Sequence, residues 1–563
     1  MSLDHKTRTH PAVRDLAEKT RRGEIGRRDF LRTAALLGVS AATAHSMIGI
    51  ALNPGDAMAA ETPKFGGNLR VSMNVMEITD PAIFDWSQKG NLARHVIEPL
   101  VQVDKDNIAR PYLAEKWEAS DDLKTWTFHL RKGVKWSNGD DFGADDVIAT
   151  FRRWLDPKTG SSNIGRFASM TTTVDTGKKD KDGKPVKQTS MTEGALEKID
   201  DHTVRFHLNT ADLALPESMA DYPALITHRN FGKDGANFIK NPVGTGPFEL
   251  AEFKVGERAV LKKRKDVKYW GGDVYLDQIT YIDHGDDPAA QLAAFASGQV
   301  DTNYESSVEQ VPAYKALPGI DVLEAVTAQT GVARFKVNEK PFDNVKVRQA
   351  IQACIDHDRL LKIVYSGYGA PAEDHHVAPI HPEYFKLPKP KQDYAKAKKL
   401  LAEAGHGDGL KIRIDCVANP TWEQNACKAI AEMLRPAGIT LEINIMPGGT
   451  YWDRWTTTPF GFTAWTHRPL GVQVLNLAYR SGVPWNETSY SNPEFDKLLD
   501  QAGTKLDPNE RRKDMEKLEK ILQDDAVFVQ SLWRSVFVAK SKRVRGLYAQ
   551  VALEHHYNKV WLA

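Results

Sequence analysis

Cysteine is scarce in this 563-residue chain, which has only Cys354, Cys416 and Cys427. Three thiols cannot build the disulfide framework on which small secreted domains depend. Cys416 and Cys427 could pair; single buried thiols are the equal alternative. Charge of one sign is also lacking. Lys and Arg number 75 against 74 Asp and Glu, a net +1, so nothing electrostatic argues for nucleic acid as a partner. Beyond residue 60 there is no apolar run long enough to span a bilayer. The GxxxxGK[ST] phosphate loop, the G-x-S-x-G nucleophile elbow and the zinc motif H-E-x-x-H are all missing. Isolated Ser, His and Asp residues are plentiful, but no spacing ties them together. The chain therefore reads as a non-enzyme without cofactor or metal. An exported hydrolase, or a protein presenting ligand to a sensory receptor, is the alternative from another class.

What is present is length and aromatic surface. The chain is long enough for two or more domains with a substantial core. Its 41% hydrophobic and 26% charged residues are ordinary for a soluble protein. It has 13 Trp and 16 Tyr, more than a core alone needs and suited to lining a ligand pocket.

Residues 1–60 differ from the rest. Arg27 and Arg28 precede Asp29, Phe30 and Leu31; a mildly apolar run follows from Ala34 to Leu52; Asn53-Pro54-Gly55 breaks it, and Ala57 and Ala59 offer an A-x-A exit. This order is that of a signal peptide, and the RRDFL core fits the twin-arginine type. Ser40, Thr43, His45 and Ser46 make a membrane anchor the weaker reading. The expected location is the periplasm.

Downstream, strand and helix signals alternate irregularly. Trp126, Phe128 and Leu130 share one face at period two, as do Val204, Phe206 and Leu208. Between them DTGKKDKDGKPVKQTS reads as an exposed loop. Val347, Ala350, Ile351 and Cys354 make one helical face, and Ala397, Leu400, Leu401 and Ala404 another. WEQNACKAIAEMLRPAG followed by ITLEINI reads as helix, break and strand, an α/β crossover unit. The segment from Asp507 starts a helix whose stripe is Met515, Leu518, Ile521 and Leu522, and SVFVA returns to strand. The acid pairs Asp121-Asp122, Asp140-Asp141 and Asp145-Asp146 read as turn and helix-cap chemistry rather than catalysis.

Five stretches taken in order resemble family 5 extracellular solute-binding proteins of ABC importers, the peptide- and nickel-binding type. They are residues 111–136, 144–157, NPVGTGPFEL (241–250), 342–360 and 394–405. The resemblance implies an α/β class II periplasmic binding protein fold, two lobes joined by two hinge strands with an enlarged first lobe. It places lobe I at 62–282, lobe II at 283–532 and a return to lobe I at 533–563, with crossings near Tyr281–Asp283 and Ser531–Arg534. It also implies delivery of a small solute to an inner-membrane ABC permease by a monomer.

In the family's dipeptide binders a Trp-Thr-Gly-Asp-like stretch supplies an aspartate for the ligand's ammonium. Here the stretch is AWTHRPLG: Trp465 and Thr466 match, while Arg468 stands in the aspartate's place. A permanent cation there repels an ammonium. The loop VANPTWEQNA, which matches the family's carboxylate-binding arginine loop, holds no Arg or Lys. Both anchors for a free dipeptide are thus expected to be absent. Either Arg468 meets an anionic or oxygen-rich group on the solute, with His467 as second donor, or it is structural and paired to an acid such as Asp453 or Glu487. The candidate ligand residues are Arg468, His467, Trp465, Trp422, Trp452, Tyr479, Trp485, Met73 and Asn74. An oligosaccharide, an opine-like acidic conjugate or a modified peptide suits them. A nickel or other metal chelate is a further alternative, since His467, the Asp374-His375-His376 run and His381 offer imidazoles without dedicated spacing.

Overall fold

The computed structural model describes residues 9–49, 61–179, 185–233, 235–266 and 268–563. It resolves into two compact units. The first holds the described residues of Met1–Ser306 with Pro312–Leu323 and Val538–Ala563; the second holds Ser307–Val311 and Glu324–Phe537. Strands Ile320–Phe335 and Phe528–Ser541 each carry residues of both units. The stretch around Tyr281–Asp283, where the first crossing was expected, lies inside the first unit. Helix Pro288–Ala296 follows it and joins a core of Phe295, Val300, Tyr314 and Ala539 in that same unit.

In the first unit, strand Asn68–Ser72 runs parallel to Gln278–Ile282, pairing Asn68 with Gln278 and Ser72 with Ile282. Antiparallel strands Arg258–Lys263 and Phe248–Lys254 extend that edge. The stretch NPVGTGPF enters this sheet through a turn with no room for side chains. A Cβ on Gly244 would lie 1.8 Å from the Val96 carbonyl oxygen, and one on Gly246 2.4 Å from that of His95. A second, antiparallel sheet has the order Ala114–Ala119, Thr125–Leu130, Thr203–His207, Leu196–Asp200. The period-two faces read from the sequence are its buried side: Trp126, Phe128, Val204 and Phe206 are fully buried, and the Phe128 and Phe206 rings meet edge-on at 5.3 Å. Helix Ala144–Trp154 packs on this sheet. The acid pair Asp145-Asp146 sits in its first turn and caps it: Asp146 accepts from the Gly143 N–H at 2.9 Å and from the Trp136 indole at 3.0 Å.

One expectation changes in this unit. The lysine-rich segment read as a loop forms antiparallel strands Thr171–Lys179 and Pro185–Met191. The TTTVDT run leading into it supplies β-branched residues, and Thr173 and Thr189 hydroxyls meet across the pair at 2.7 Å. Over its described residues, the segment expected to be a signal peptide forms helices Pro11–Arg21, Arg27–Leu36 and Ala41–Met47. Phe30 and Ala34 are fully buried, and the Trp117 indole donates to the Leu36 carbonyl at 2.6 Å. Arg32 reaches the Asp106 carbonyl at 3.2 Å, while Arg27 and Arg28 stay exposed. The A-x-A exit lies outside the described residues. No helix among those described is long and apolar enough to cross a membrane.

The second unit contains the expected crossover: strand Leu410–Val417, helix Thr421–Leu434, a left-handed Gly438 after the helix, and parallel strand Ile439–Met446. Strand Phe460–Trp465 runs antiparallel to Ile320–Phe335, pairing Trp465 with Thr330 and Phe460 with Phe335. The helical faces seen in the sequence become helices Val345–Ala353, His357–Tyr365, Tyr394–Glu403 and Pro508–Asp525. The helical face of Val347, Ala350, Ile351 and Cys354 ends before Asp356, whose side chain accepts from the Arg359 N–H and starts a new helix.

Candidate ligand-binding site

Strand Phe460–Trp465 delivers Trp465 to the end of the second unit's sheet, and helix Gly471–Ala478 begins six residues later. The WTHR stretch is the connection between them. Its side chains are drawn inward: His467 and Arg468 are each only 3% exposed. His467 Nδ1 accepts the Ala328 N–H at 3.0 Å, so one ring nitrogen serves the backbone. Arg468 Nη1 donates to Thr466 Oγ1 at 2.6 Å and to the His467 carbonyl at 2.9 Å, and the Arg468 carbonyl accepts from His381 Nε2 at 2.9 Å. The guanidinium is thus braced by its own turn. Of the two acids considered as structural partners, Glu487 is taken by another cation. It pairs with Arg334 Nε at 2.9 Å, both side chains essentially without exposure. Asp453 is exposed.

Trp452, Trp465 and Trp485 come together, joined by Trp455. Ring centroids lie 5.8 Å apart for Trp452 and Trp455, 6.4 Å for Trp455 and Trp465, and 6.1 Å for Trp465 and Trp485. Trp465 is buried and the other three are half-buried. Trp422 stands elsewhere, buried between Phe462 at 5.8 Å and Tyr365 at 6.1 Å, with the Arg534 guanidinium over its ring at 5.3 Å. Tyr479 is a core residue: its hydroxyl meets His376 Nδ1 at 2.9 Å and its ring packs on Phe528 at 5.3 Å. In the first unit Met73 is 2% exposed, and half-buried Asn74 donates to Asp286 Oδ1 at 2.8 Å.

The imidazoles offered for a metal each have work inside the second unit. His375 meets Glu373 at 3.2 Å and His381 accepts the Ala378 N–H at 2.9 Å, while Asp374, offered beside them, is taken by His357 at 3.1 Å. Burial, with the Arg468 cation nearby, holds the His376 imidazole well below its usual range and therefore neutral. Among the described residues no group of three or more His, Cys, Asp or Glu side chains converges as a metal site. Cys416 and Cys427 are free, buried thiols.

With this geometry in place, the comparison with known proteins is decisive at the level of family. The model of the bacterial extracellular solute-binding proteins, family 5, matches residues 109–473. The chain belongs to this family. Heme-binding protein A of Haemophilus influenzae is 28% identical over 487 residues, covering 81% of this chain and 84% of that protein. Among solved structures, the periplasmic binding protein DppA from Helicobacter pylori in complex with the peptide STSA superposes with a TM-score of 0.76 at 24% identity, covering 89% of this chain and 98% of that one. AgaA from A. tumefaciens R10, in complex with agropinic acid, gives 0.76 at 23% identity, covering 88% and 99%. These neighbours carry the two-lobe fold of family 5 and are binding proteins rather than enzymes.

For a family 5 protein, three features of the second unit were not reached from the sequence: Trp455, the Arg334–Glu487 pair and Arg534. Trp455 stands three residues after Trp452 in YWDRW, a helical spacing that could have flagged it. Arg334 and Glu487 are 153 residues apart and carried no local signal. The first unit has a polar recess of its own, lined by Arg94, His95, Tyr112, His555, His556 and Asn558, with room for about one water. That is far too small for a solute.

Proposed function

We propose that this chain is the solute-capturing component of an ABC importer, exported to the periplasm by the twin-arginine pathway and acting there as a monomer. It hands a small solute to an inner-membrane permease and does no chemistry on it. The solute is peptide-like, a sugar or an acidic conjugate, and is not a free dipeptide held by both its charged ends. The observation that carries this is the cation at Arg468, braced by Thr466 and its own turn where an ammonium-binding acid would be needed. The family's range supports the breadth of the reading, since its relatives include a heme-binding protein and a structure holding agropinic acid. Arg468 is the proposed anchor for the solute's anionic group, His467 fixes the turn that presents it, and the tryptophans beside Trp465 supply apolar wall.

The test is a thermal-shift panel on ligand-stripped protein with dipeptides, longer peptides, oligosaccharides, amino-acid–sugar conjugates, and nickel with and without chelators. A solute at a hundred times its dissociation constant stabilises by about 2.7 kcal/mol. A shift given by acidic solutes and lost in Arg468→Ala supports the anchor. A strong shift with ordinary dipeptides that Arg468→Ala leaves unchanged refutes it, and recovery of chemically altered solute refutes the binding-protein reading.

A further inference from the structure

The four clustered tryptophans of the second unit differ from a packed core in two ways. Trp452, Trp455 and Trp485 keep part of their surface open, and the four rings meet edge to face at 62° to 76° rather than stacking. They come from three places in the chain: the short helix Gly448–Trp452 and the turn after it, the end of strand Phe460–Trp465, and the turn at Trp485. Something must hold such separate segments at fixed angles.

Arg334 and Glu487 do this from beneath. Glu487 Oε1 accepts from the Trp465 indole at 2.8 Å; its Oε2 accepts from Thr463 Oγ1 at 2.6 Å and from Arg334 Nε at 2.9 Å. Arg334 then donates through Nη1 to the Thr458 carbonyl and through Nη2 to the Trp455 carbonyl. One buried ion pair therefore ties the Trp465 indole to the backbone that carries Trp455. The strand opposite is shaped to admit it: a Cβ on Gly461 would fall 2.9 Å from both Arg334 Nη2 and Tyr451 Oη. A buried ion pair is a poor source of stability compared with apolar packing of the same volume, so its value here lies in orientation.

The chemistry of what the box takes follows from where its polar atoms point. The Trp465 indole and Thr463 are spent on Glu487, Thr458 Oγ1 reaches Asp415 and the Arg454 carbonyl, and the Tyr451 hydroxyl donates to the Phe462 carbonyl at 2.7 Å. A sugar needs outward donors and acceptors for its hydroxyls. An aromatic ring needs indole faces and edges, and Trp452, Trp455 and Trp485 each keep part of theirs exposed. We infer that the tryptophan box is a subsite for a planar aromatic ring carried by the solute, with Arg334 and Glu487 as positioning residues that set the angles of its walls. This rests on the solute-capture reading above and adds the class of solute.

The test uses the full chain, with its indole N–H resonances assigned by single Trp→Phe substitutions and titrated with indole-3-acetate, cyclohexylacetate and maltose. Indole-3-acetate should move the resonances of Trp452, Trp455, Trp465 and Trp485 and bind at least tenfold more tightly than cyclohexylacetate, which has the charge without the π system. Equal response to cyclohexylacetate, a response to maltose instead, or no response of these four resonances overturns the subsite. If the thermal-shift panel finds a solute while these resonances stay still, solute capture stands and the ring subsite falls; if the panel finds none, capture itself falls. For the positioning role, the double variant Arg334→Met with Glu487→Leu replaces the ion pair by apolar volume and should stay folded. Its aromatic preference should collapse to within about twofold of unity, whereas Ile430→Val, a core change on helix Thr421–Leu434, should keep the tenfold preference. A double variant with the wild-type preference would show that the pair does not position the box.

Discussion

Acidification should weaken the first unit through His95, and the size of the effect can be worked out. His95 is fully buried, its Nε2 bonded to the Tyr281 hydroxyl at 2.9 Å and its ring stacked on Tyr557 at 5.3 Å. Burial first, then the neighbouring Arg94 and His556 charges, pushes its imidazole down from 6.5 to about 3. The folded state thus refuses a proton that the unfolded chain takes up. Stability from this group is complete above about pH 6.5 and is lost as pH falls toward 3. A shift of that size is worth about 5 kcal/mol over the whole range, of which about 2 kcal/mol disappears between pH 7 and pH 5. His555 and His556 are lowered by the same burial and add to the slope. Glu98, whose buried carboxyl is raised, works against it, because it gains its proton more readily folded than unfolded as pH falls. Glu554, lowered beside Arg94 and His556 despite its burial, acts mainly below this window. The measurement is hydrogen exchange of a peptide covering strand Gln278–Ile282, which reports opening of the first unit, in wild type and His95→Gln. The variant can still bond Tyr281, and its pH 7 to pH 5 loss should be about 2 kcal/mol smaller than wild type. Identical slopes would refute the assignment of the acid sensitivity to His95.

Three further outcomes follow from single contacts. Gly244→Ala should cost at least the ~3 kcal/mol at the top of the overpacking range, because its Cβ would meet immovable Val96 backbone at 1.8 Å. Gly133→Ala, with only a positive φ of 73° and open space around it, should cost about 1 kcal/mol; equal melting temperatures for the two variants would contradict the close approach. Trp117→Phe removes the indole bond to the Leu36 carbonyl, worth about 1 kcal/mol, so hydrogen exchange over residues 27–44 of the full chain should accelerate; an unchanged rate would mean that the N-terminal helices do not depend on this contact. Asp374→Ala strips the partner from His357 and the acceptor from the Gln530 N–H, and should lower stability by about 3 kcal/mol or more in urea unfolding. A loss below about 1 kcal/mol would show that the buried pair is replaceable by water.

The parts of this protein that were legible in its sequence are those with a local cause. Period-two faces such as Trp126, Phe128 and Leu130 specify a strand because side chains alternate across a sheet, and they became the buried side of one. Asp356 starts a second helix through a bond within three residues, so its signal is local too. Family membership was legible for a different reason: five stretches in a fixed order, among them the turn NPVGTGPF, where Gly244 and Gly246 lie against backbone and leave the sequence little freedom. The site was legible only in part. Trp452, Trp465 and Trp485 could be named by type, because exposed indole is costly and its presence in number asks for a use. What fixes them could not. Glu487 was considered as a partner for Arg468, the nearest cation the argument had in view, yet it lies under Trp465 and answers Arg334 from a strand more than a hundred residues earlier. Charge pairing is short-ranged in space and indifferent to sequence distance, so a single sequence offers many partners for every acid. The same is true of Tyr479 and Trp422: the residue type fits a ligand wall and a core equally well, and only the neighbours, Phe528 for one and Tyr365 with Arg534 for the other, separate the two. A candidate site assembled from distant segments is therefore recognisable by its composition before folding, and what holds its side chains in place is visible only after it.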